Sequence, residues 1–168
     1  MEYSVRTAII EDASSLAHII VESWRAAYME IIPKDEISKY LDIQKRKSQF
    51  ERYISHGEIV LIGLHNNIPC GLAFGNKEND EGLEKCGSIY SLYIMPEYWG
   101  SGIASKLMDN ILEILKNQGC KKASLWVFED NQRAINFYEK SGFYFDGSKK
   151  YSHFSNSPVE RRYIKEIN

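Results

Sequence analysis

The chain has 168 residues, of which 43% are hydrophobic, 12% aromatic and 26% charged, and its formal charge is -2. At roughly 150 residues per domain this is one domain, long enough to bury a core without disulfide or metal staples. Seven Phe, three Trp and eleven Tyr exclude a disordered chain, and 21 basic against 23 acidic side chains leave no excess for a nucleic-acid backbone.

Along the chain, Tyr3–Ile9 reads as a strand, and Asp12 as the N-cap of a helix with Leu16, Ile20, Trp24 and Ala27 on one face. Pro33 punctuates, and a polar helical stretch follows with Tyr40, Leu41, Phe50 and Tyr53 as its apolar points. Glu58–Leu64 and Ile68–Gly75 read as strands joined by the turn-prone Asn66-Asn67, then Asn76–Glu84 is an acidic loop and Ser88–Met95 a third strand. After Pro96 the chain turns through two glycines into a helix from about Gly102 to Asn117, striped by Ile103, Leu107, Ile111 and Leu115. Gly119 ends it. Ala123–Phe128 is a buried strand, Asn131 opens a helix that ends at Lys140 before Gly142, and Phe143–Tyr151 and Val159–Ile167 are the last strands. No repeat or linker divides residues 1–168, so a single mixed α/β domain is expected.

Cys70, Cys86 and Cys120 are odd in number and widely spaced, and the four histidines are far apart, so neither a disulfide framework nor a metal site is expected. Met1–Ser15 lacks a basic region followed by an apolar run, and the longest apolar stretch, Ile59–Leu64, is far too short to span a bilayer. A cytoplasmic protein without a membrane partner follows as the expectation.

The informative segment is Pro96–Met108, PEYWGSGIASKLM. A strand, then Gly100 and Gly102, then a helix, brings several backbone N–H groups and the positive helix end to one place, which suits a phosphate or pyrophosphate. No Lys or Arg lies between Pro96 and Ser105, so backbone dipoles carry the binding there, with Lys106 the nearest cation. The P-loop pattern fails for want of a Gly-Lys pair, and the dinucleotide fingerprint fails at Ser105.

LYIMPEYWGSGIA, Leu92–Ala104, and LWVFEDNQRAINFYEKSGF, Leu125–Phe143, together closely resemble the GNAT superfamily of acetyl-CoA-dependent N-acetyltransferases. Trp99-Gly-Ser-Gly102-Ile-Ala104 aligns with that family's phosphate loop, [QR]-x-x-G-x-[GA], with Trp99 replacing the usual Gln or Arg. Asn131, Ala134, Tyr138, Glu139, Gly142 and Phe143 match its second motif. The resemblance implies a single-domain GNAT-like fold, a mixed sheet of about seven strands flanked by about four helices, and acetyl-CoA as acyl donor. It implies that Leu92, Tyr93 and Ile94 pair with the pantetheine arm. Gly100, Ser101, Gly102, Ile103, Ala104 and Ser105 would hold the pyrophosphate, Asn131 the cofactor near its pantetheine, and Tyr138 would protonate the departing thiolate. Asn131 is also a good helix N-cap and Tyr138 also fits a core position, so each has two readings.

The family's usual base positions fall at Ser88 and Trp126, neither of which is a base; Glu129 and Asp130 read as loop charges, and a water chain or selection of neutral amine would serve instead. Trp24 and Tyr28, one helical turn apart, either pack the core or line an acceptor pocket, with Glu22 or Glu30 attracting a cation. Tyr151 and His153 are placed to approach the same cleft. The expected acceptor is a small-molecule or peptide amine, bound by a monomer or homodimer. A catalytically silent acyl-CoA sensor of the same fold is the alternative.

Overall fold

The alternation and turn signals of the sequence become one sheet of seven strands in the order β1-β2-β3-β4-β5-β7-β6. These are β1 (Tyr3–Thr7), β2 (Ile59–His65), β3 (Ile68–Asn76), β4 (Cys86–Ile94), β5 (Lys122–Phe128), β6 (Tyr144–Tyr151) and β7 (Val159–Glu166). Five helices accompany them: α1 (Ala13–Tyr28), α2 (Lys34–Ile37), α3 (Ile43–Ser55), α4 (Ile103–Asn117) and α5 (Gln132–Lys140). The computed structural model describes residues 2–168; Met1, the first residue of the expected domain, lies outside them.

The β2–β3 turn is made by Asn66 and Asn67, both at positive φ (49° and 66°), as a tight hairpin requires. The stripe expected on α4 is its buried face: Ile103, Leu107, Ile111 and Leu115 are fully buried, in a core shared with Leu125, Val127 and Tyr163. On the other face of the sheet, Leu16, Ile19 and Ile20 of α1 and Phe50 of α3 pack on Val60, Ile62 and Leu72. A third cluster, Ile32, Ile37 and Phe154, joins the loop after α1 to the β6–β7 connection.

Asp12 corrects one expectation. Its carboxylate does not cap α1 but accepts from the Ile9 amide at 2.8 Å and from both Arg6 nitrogens at 2.7 and 3.0 Å, because a short 3-10 turn at Ile10–Asp12 leads into the helix. The polar stretch after Pro33 is likewise not one helix but α2, a 3-10 turn and α3, the last restarted by Asp42 accepting from the Lys45 amide at 3.0 Å.

Only one neighbouring pair in the sheet is parallel. Strands β4 and β5 meet at Cys86–Lys122, Gly87–Ala123 and Ser88–Ser124, and pair no further. Beyond Ser88, β4 continues to Ile94 along β3, with a bulge that leaves Tyr90 unopposed, while β5 follows β7 as far as Phe128–Glu160. The sheet therefore opens between two strands of which β4 still has six residues to run and β5 four.

Candidate active site

A cavity of about 740 Å³ fills that opening. Its walls are the parted ends of β4 (Ile89–Ile94) and β5 (Leu125–Phe128), the loop before α4, one face of α5, the end of α1 and the β6–β7 connection. Of the residues expected to act, Trp24, Tyr28, Leu92, Tyr93, Ile94, Gly100, Gly102, Ala104, Ser105, Asn131 and Tyr138 all line it. Ser101 and Ile103 belong to the loop but not to the wall.

The hydrogen bonds of the loop explain that division. The amides of Trp99 and Ser101 donate to the carbonyls of Pro96 and Tyr98, at 3.2 Å each, and the Ile103 amide faces Ser101 Oγ at 3.4 Å. The Ile103 side chain is buried against β2, near Gly63. The amides of Gly100, Gly102, Ala104 and Ser105 find no acceptor among the described residues, and these four residues line the cavity. Four unpaired donors at the positive end of a 15-residue helix make an anion cradle. Gly100 and Gly102 hold φ of 78° and 91°, a region that disfavours any side chain, although the space beside each is open.

The cation nearest along the chain is not the one at the cavity. Lys106 turns away, its ammonium donating to the Tyr3 carbonyl at 2.8 Å. Arg133, in the first turn of α5, lines the cavity instead, with its guanidinium carbon 3.6 Å from the Trp99 ring centroid. Trp99 in turn donates its Nε1 to the Ile94 carbonyl at 3.0 Å. The residue that departs from the family's usual Gln or Arg thus ties the β4 end to the loop and supports a cation over it. That carbonyl also accepts from Ser23 Oγ at 3.3 Å, so Ile94 offers a ligand its amide rather than its oxygen.

Asn131 does cap α5, its side-chain oxygen accepting from the Ala134 amide at 3.3 Å, and it also lines the cavity. Tyr138 lies two turns beyond Asn131 on α5, edge-on to Phe137 and Phe143 at 5.7 and 6.1 Å. Burial raises its pKa well above the ordinary phenol value, and Tyr93 raises it further against the opposing pull of Arg133. Its hydroxyl is therefore protonated across the physiological range.

The remaining wall is aromatic. Trp24 and Tyr28 stand edge-on at 5.1 Å, as their helical spacing requires; Tyr28 meets Phe128 at 5.2 Å and its hydroxyl lies 3.2 Å from that of Tyr93. Tyr40 stacks on Trp24 at 5.2 Å and shares a 2.7 Å hydrogen bond with His153. Burial raises the Tyr28 and Tyr93 pKa values.

Neither Glu22 nor Glu30 reaches this wall; Glu22 faces Arg25 at 3.7 Å on the outer side of α1. Tyr151 is 77% exposed and lies outside it, while His153 lines it. Glu129 is engaged by Arg161 and, at 3.1 Å, by Lys149, which accounts for it as a loop charge. Ser88 Oγ donates to the Glu78 carbonyl at 2.9 Å, and Trp126 donates to Asp80 at 2.6 Å, so neither position hides a base. Cys70, Cys86 and Cys120 are buried free thiols, and burial pushes Cys70 up to about 11, far from a thiolate nucleophile. The acidic side chain that does line the cavity is Glu160, at the start of β7. Sequence reading passed over it because it sits in an alternating strand with no motif around it.

Residues 17–143 match the acetyltransferase (GNAT) family model. An uncharacterised N-acetyltransferase of Mycobacterium tuberculosis is 27% identical over 141 residues, 83% of this chain and 88% of that one. N-alpha-acetyltransferase 30 of Schizosaccharomyces pombe is 33% identical over 115 residues, 67% of this chain and 76% of that one. Among solved structures, the PaiA N-acetyltransferase of Thermoplasma acidophilum in complex with coenzyme A superimposes with a TM-score of 0.78 at 22% identity, covering 99% of each chain. No helix among the described residues is long and apolar enough to cross a membrane.

Proposed function

The chain belongs to the acetyltransferase (GNAT) family, and from that premise we propose that it moves the acetyl group of acetyl-CoA to the primary amine of a small molecule or peptide, by direct attack in a ternary complex. The observation that carries this reading is the coincidence of four unpaired loop amides, the parted β4 and β5 strands and Tyr138 in one cavity.

Each part supplies one physical provision. The amides of Gly100, Gly102, Ala104 and Ser105 hold the pyrophosphate of the donor, and Arg133 adds a cation beside them. The open edge of β4 at Leu92–Ile94 takes the pantetheine arm as an added strand and aims backbone donors at the thioester oxygen, where negative charge develops. Tyr138, protonated and within the cavity, gives its proton to the sulfur as the C–S bond breaks. No covalent enzyme intermediate is needed, in keeping with three buried thiols whose pKa values are all raised.

The aromatic wall of Trp24, Tyr28 and Phe128 is the acceptor's side of the cavity. The test is thiol release from acetyl-CoA with a panel of polyamines, amino acids, aminoglycosides and peptides, the peptides included because the Schizosaccharomyces pombe relative is named an N-alpha-acetyltransferase. Turnover with an amine, and none without, is the expected result. Tight binding of acetyl-CoA with no turnover on any amine would make the protein an acyl-CoA sensor instead.

A further inference from the structure

Among the described residues one carboxylate lines the cavity, that of Glu160, and none of them holds it by a hydrogen bond or ion pair. Glu160 lies opposite Phe128 of β5 and Lys150 of β6. Partners across strands share a face, so Glu160 projects on the same side as Phe128, the ring that meets Tyr28 edge-on. The carboxylate has no hydrogen bond or ion pair among the described residues. Lys150, its cross-strand neighbour, instead places its ammonium 4.1 Å from the Trp126 ring centroid.

A carboxylate half removed from water and facing a cavity without a protein partner is available to a cationic group of a ligand. Tyr28 and Tyr93 line the same cavity within electrostatic reach of Glu160, Phe128 is its cross-strand neighbour, and the electron-rich faces of such rings favour a cation over a neutral group. The Tyr28 hydroxyl lies within electrostatic reach of both Glu160 and Tyr138, so the carboxylate and the proton donor serve one reaction space.

We infer that Glu160 receives the ammonium group of the acceptor and takes its proton, so that the substrates of this enzyme are amines that arrive as cations. This rests on the acetyltransfer reading above. One proton passes from the ammonium to the Glu160 carboxylate, leaving a neutral amine and a carboxylic acid. The nitrogen lone pair forms the C–N bond to the acetyl carbon, and the C–S bond breaks with its electron pair on sulfur. Tyr138 protonates that sulfur, the second nitrogen proton restores the Tyr138 hydroxyl, and Glu160 releases its proton to solvent.

The groups that face Glu160 are compatible with this. Tyr28 from α1 and Tyr93 from β4 are neutral, Phe128 of β5 is uncharged, and Lys150 of β6 and His153 of the β6–β7 connection are the cations that partly oppose the effect of burial. Burial is the larger influence, and the Glu160 pKa is raised. It therefore sits nearer the working pH than an exposed glutamate, which is where a general base is most effective.

The experiment uses the full chain with the best amine of the panel, comparing wild type, Glu160→Gln and Glu160→Asp in kcat/KM against pH. Glu160→Gln keeps the shape and removes both charge and basicity. At pH 7 its kcat/KM is expected to fall by about 10²- to 10⁴-fold, with acetyl-CoA affinity by calorimetry and the thermal midpoint unchanged. The acid limb set by Glu160 should be replaced by a rise that continues toward the ~10.4 of a free alkylamine, and the deficit should shrink there because the acceptor is already neutral. Glu160→Asp, which keeps the carboxylate, should recover part of the activity and the acid limb. Glu160→Gln within threefold of wild type, or a deficit that does not change with pH, would overturn the assignment while leaving acetyltransfer intact. Absence of turnover by the wild type on every amine would instead remove the acetyltransfer reading, and Glu160 with it.

Discussion

Replacing Gly102 by Asp tests the anion cradle at its most exposed point. Three effects act together. The first is backbone strain: Gly102 sits at φ 91°, and an L residue held there costs about 1–3 kcal/mol. The second works the other way, because Gly102 is the N-cap of α4 and no atom lies within 4 Å of an added Cβ. An Asp side chain is free to fold onto the unpaired amides of Ala104 and Ser105, and a helix cap of that kind contributes roughly 0.5–2 kcal/mol. Stability should therefore change by no more than about 2.5 kcal/mol. The third effect falls on the ligand. Those amides are then occupied by a carboxylate, so a pyrophosphate loses two charge-assisted hydrogen bonds of roughly 1.5–3 kcal/mol each and meets a like charge. The sum, about 3–6 kcal/mol, is a loss of roughly 10²- to 10⁴-fold in acetyl-CoA affinity. Calorimetric titration reads the affinity and urea unfolding the stability. Gly102→Ala, with the strain and without the charge, should lose far less affinity. Unchanged affinity in a folded Gly102→Asp protein would refute the cradle.

Tyr138→Phe removes the proton and keeps the ring packed against Phe137 and Phe143, so kcat should drop by about 10²- to 10⁴-fold with acetyl-CoA affinity nearly constant; turnover within twofold of wild type, with chemistry rate-limiting, would return Tyr138 to the core. Arg133→Ala should weaken acetyl-CoA binding about tenfold, in line with one charge-assisted hydrogen bond, and flatten its salt dependence, whereas Lys106→Ala should leave both alone because its ammonium faces Tyr3. Equal losses in the two variants would reverse that ranking. The Arg6 guanidinium hydrogen-bonded to Asp12 holds that carboxyl below its usual range, so its contribution to stability is present above the unfolded pKa of about 3.9 and is lost as pH falls through the lower folded value. Urea unfolding at pH 7 and pH 3 should show a smaller acid loss in Asp12→Asn than in wild type.

What was legible in the sequence was what chemistry writes locally. The α4 stripe, the Asn66-Asn67 turn and the glycine pair each fix a backbone conformation within a few residues, and all three stand in the structure. The Asn131 cap is equally local. What escaped was decided across the sheet. Lys106 reads as the nearest cation along the chain, but the hand of α4 carries it to Tyr3, and Arg133 arrives from another helix because Trp99 gives it a ring to lie on. Asp12 looks like a cap until Arg6, across the turn, claims its carboxylate. Glu160 has no sequence signal at all. Its position opposite Phe128 is a matter of β5–β7 register, and register is set by strands some thirty residues apart.

The three pairs that join β4 to β5 have a consequence for the molecule as a material. They make a seam between two half-sheets, β1–β4 backed by α1, α3 and α4, and β5–β7 backed by α5. Side chains bridge the seam, Ile89 and Ile94 on one half sharing a core with Leu125 and Val127 on the other, but the β4–β5 ladder of backbone hydrogen bonds crosses it only at one end. Without a ligand, the far end of the seam is where the fold is least cooperative, since each half is laddered to itself and not to its neighbour. A donor molecule lying along β4 does more than occupy a site. Bound as proposed above, it would supply the missing rungs, and part of its binding free energy would go into making the two halves unfold as one body.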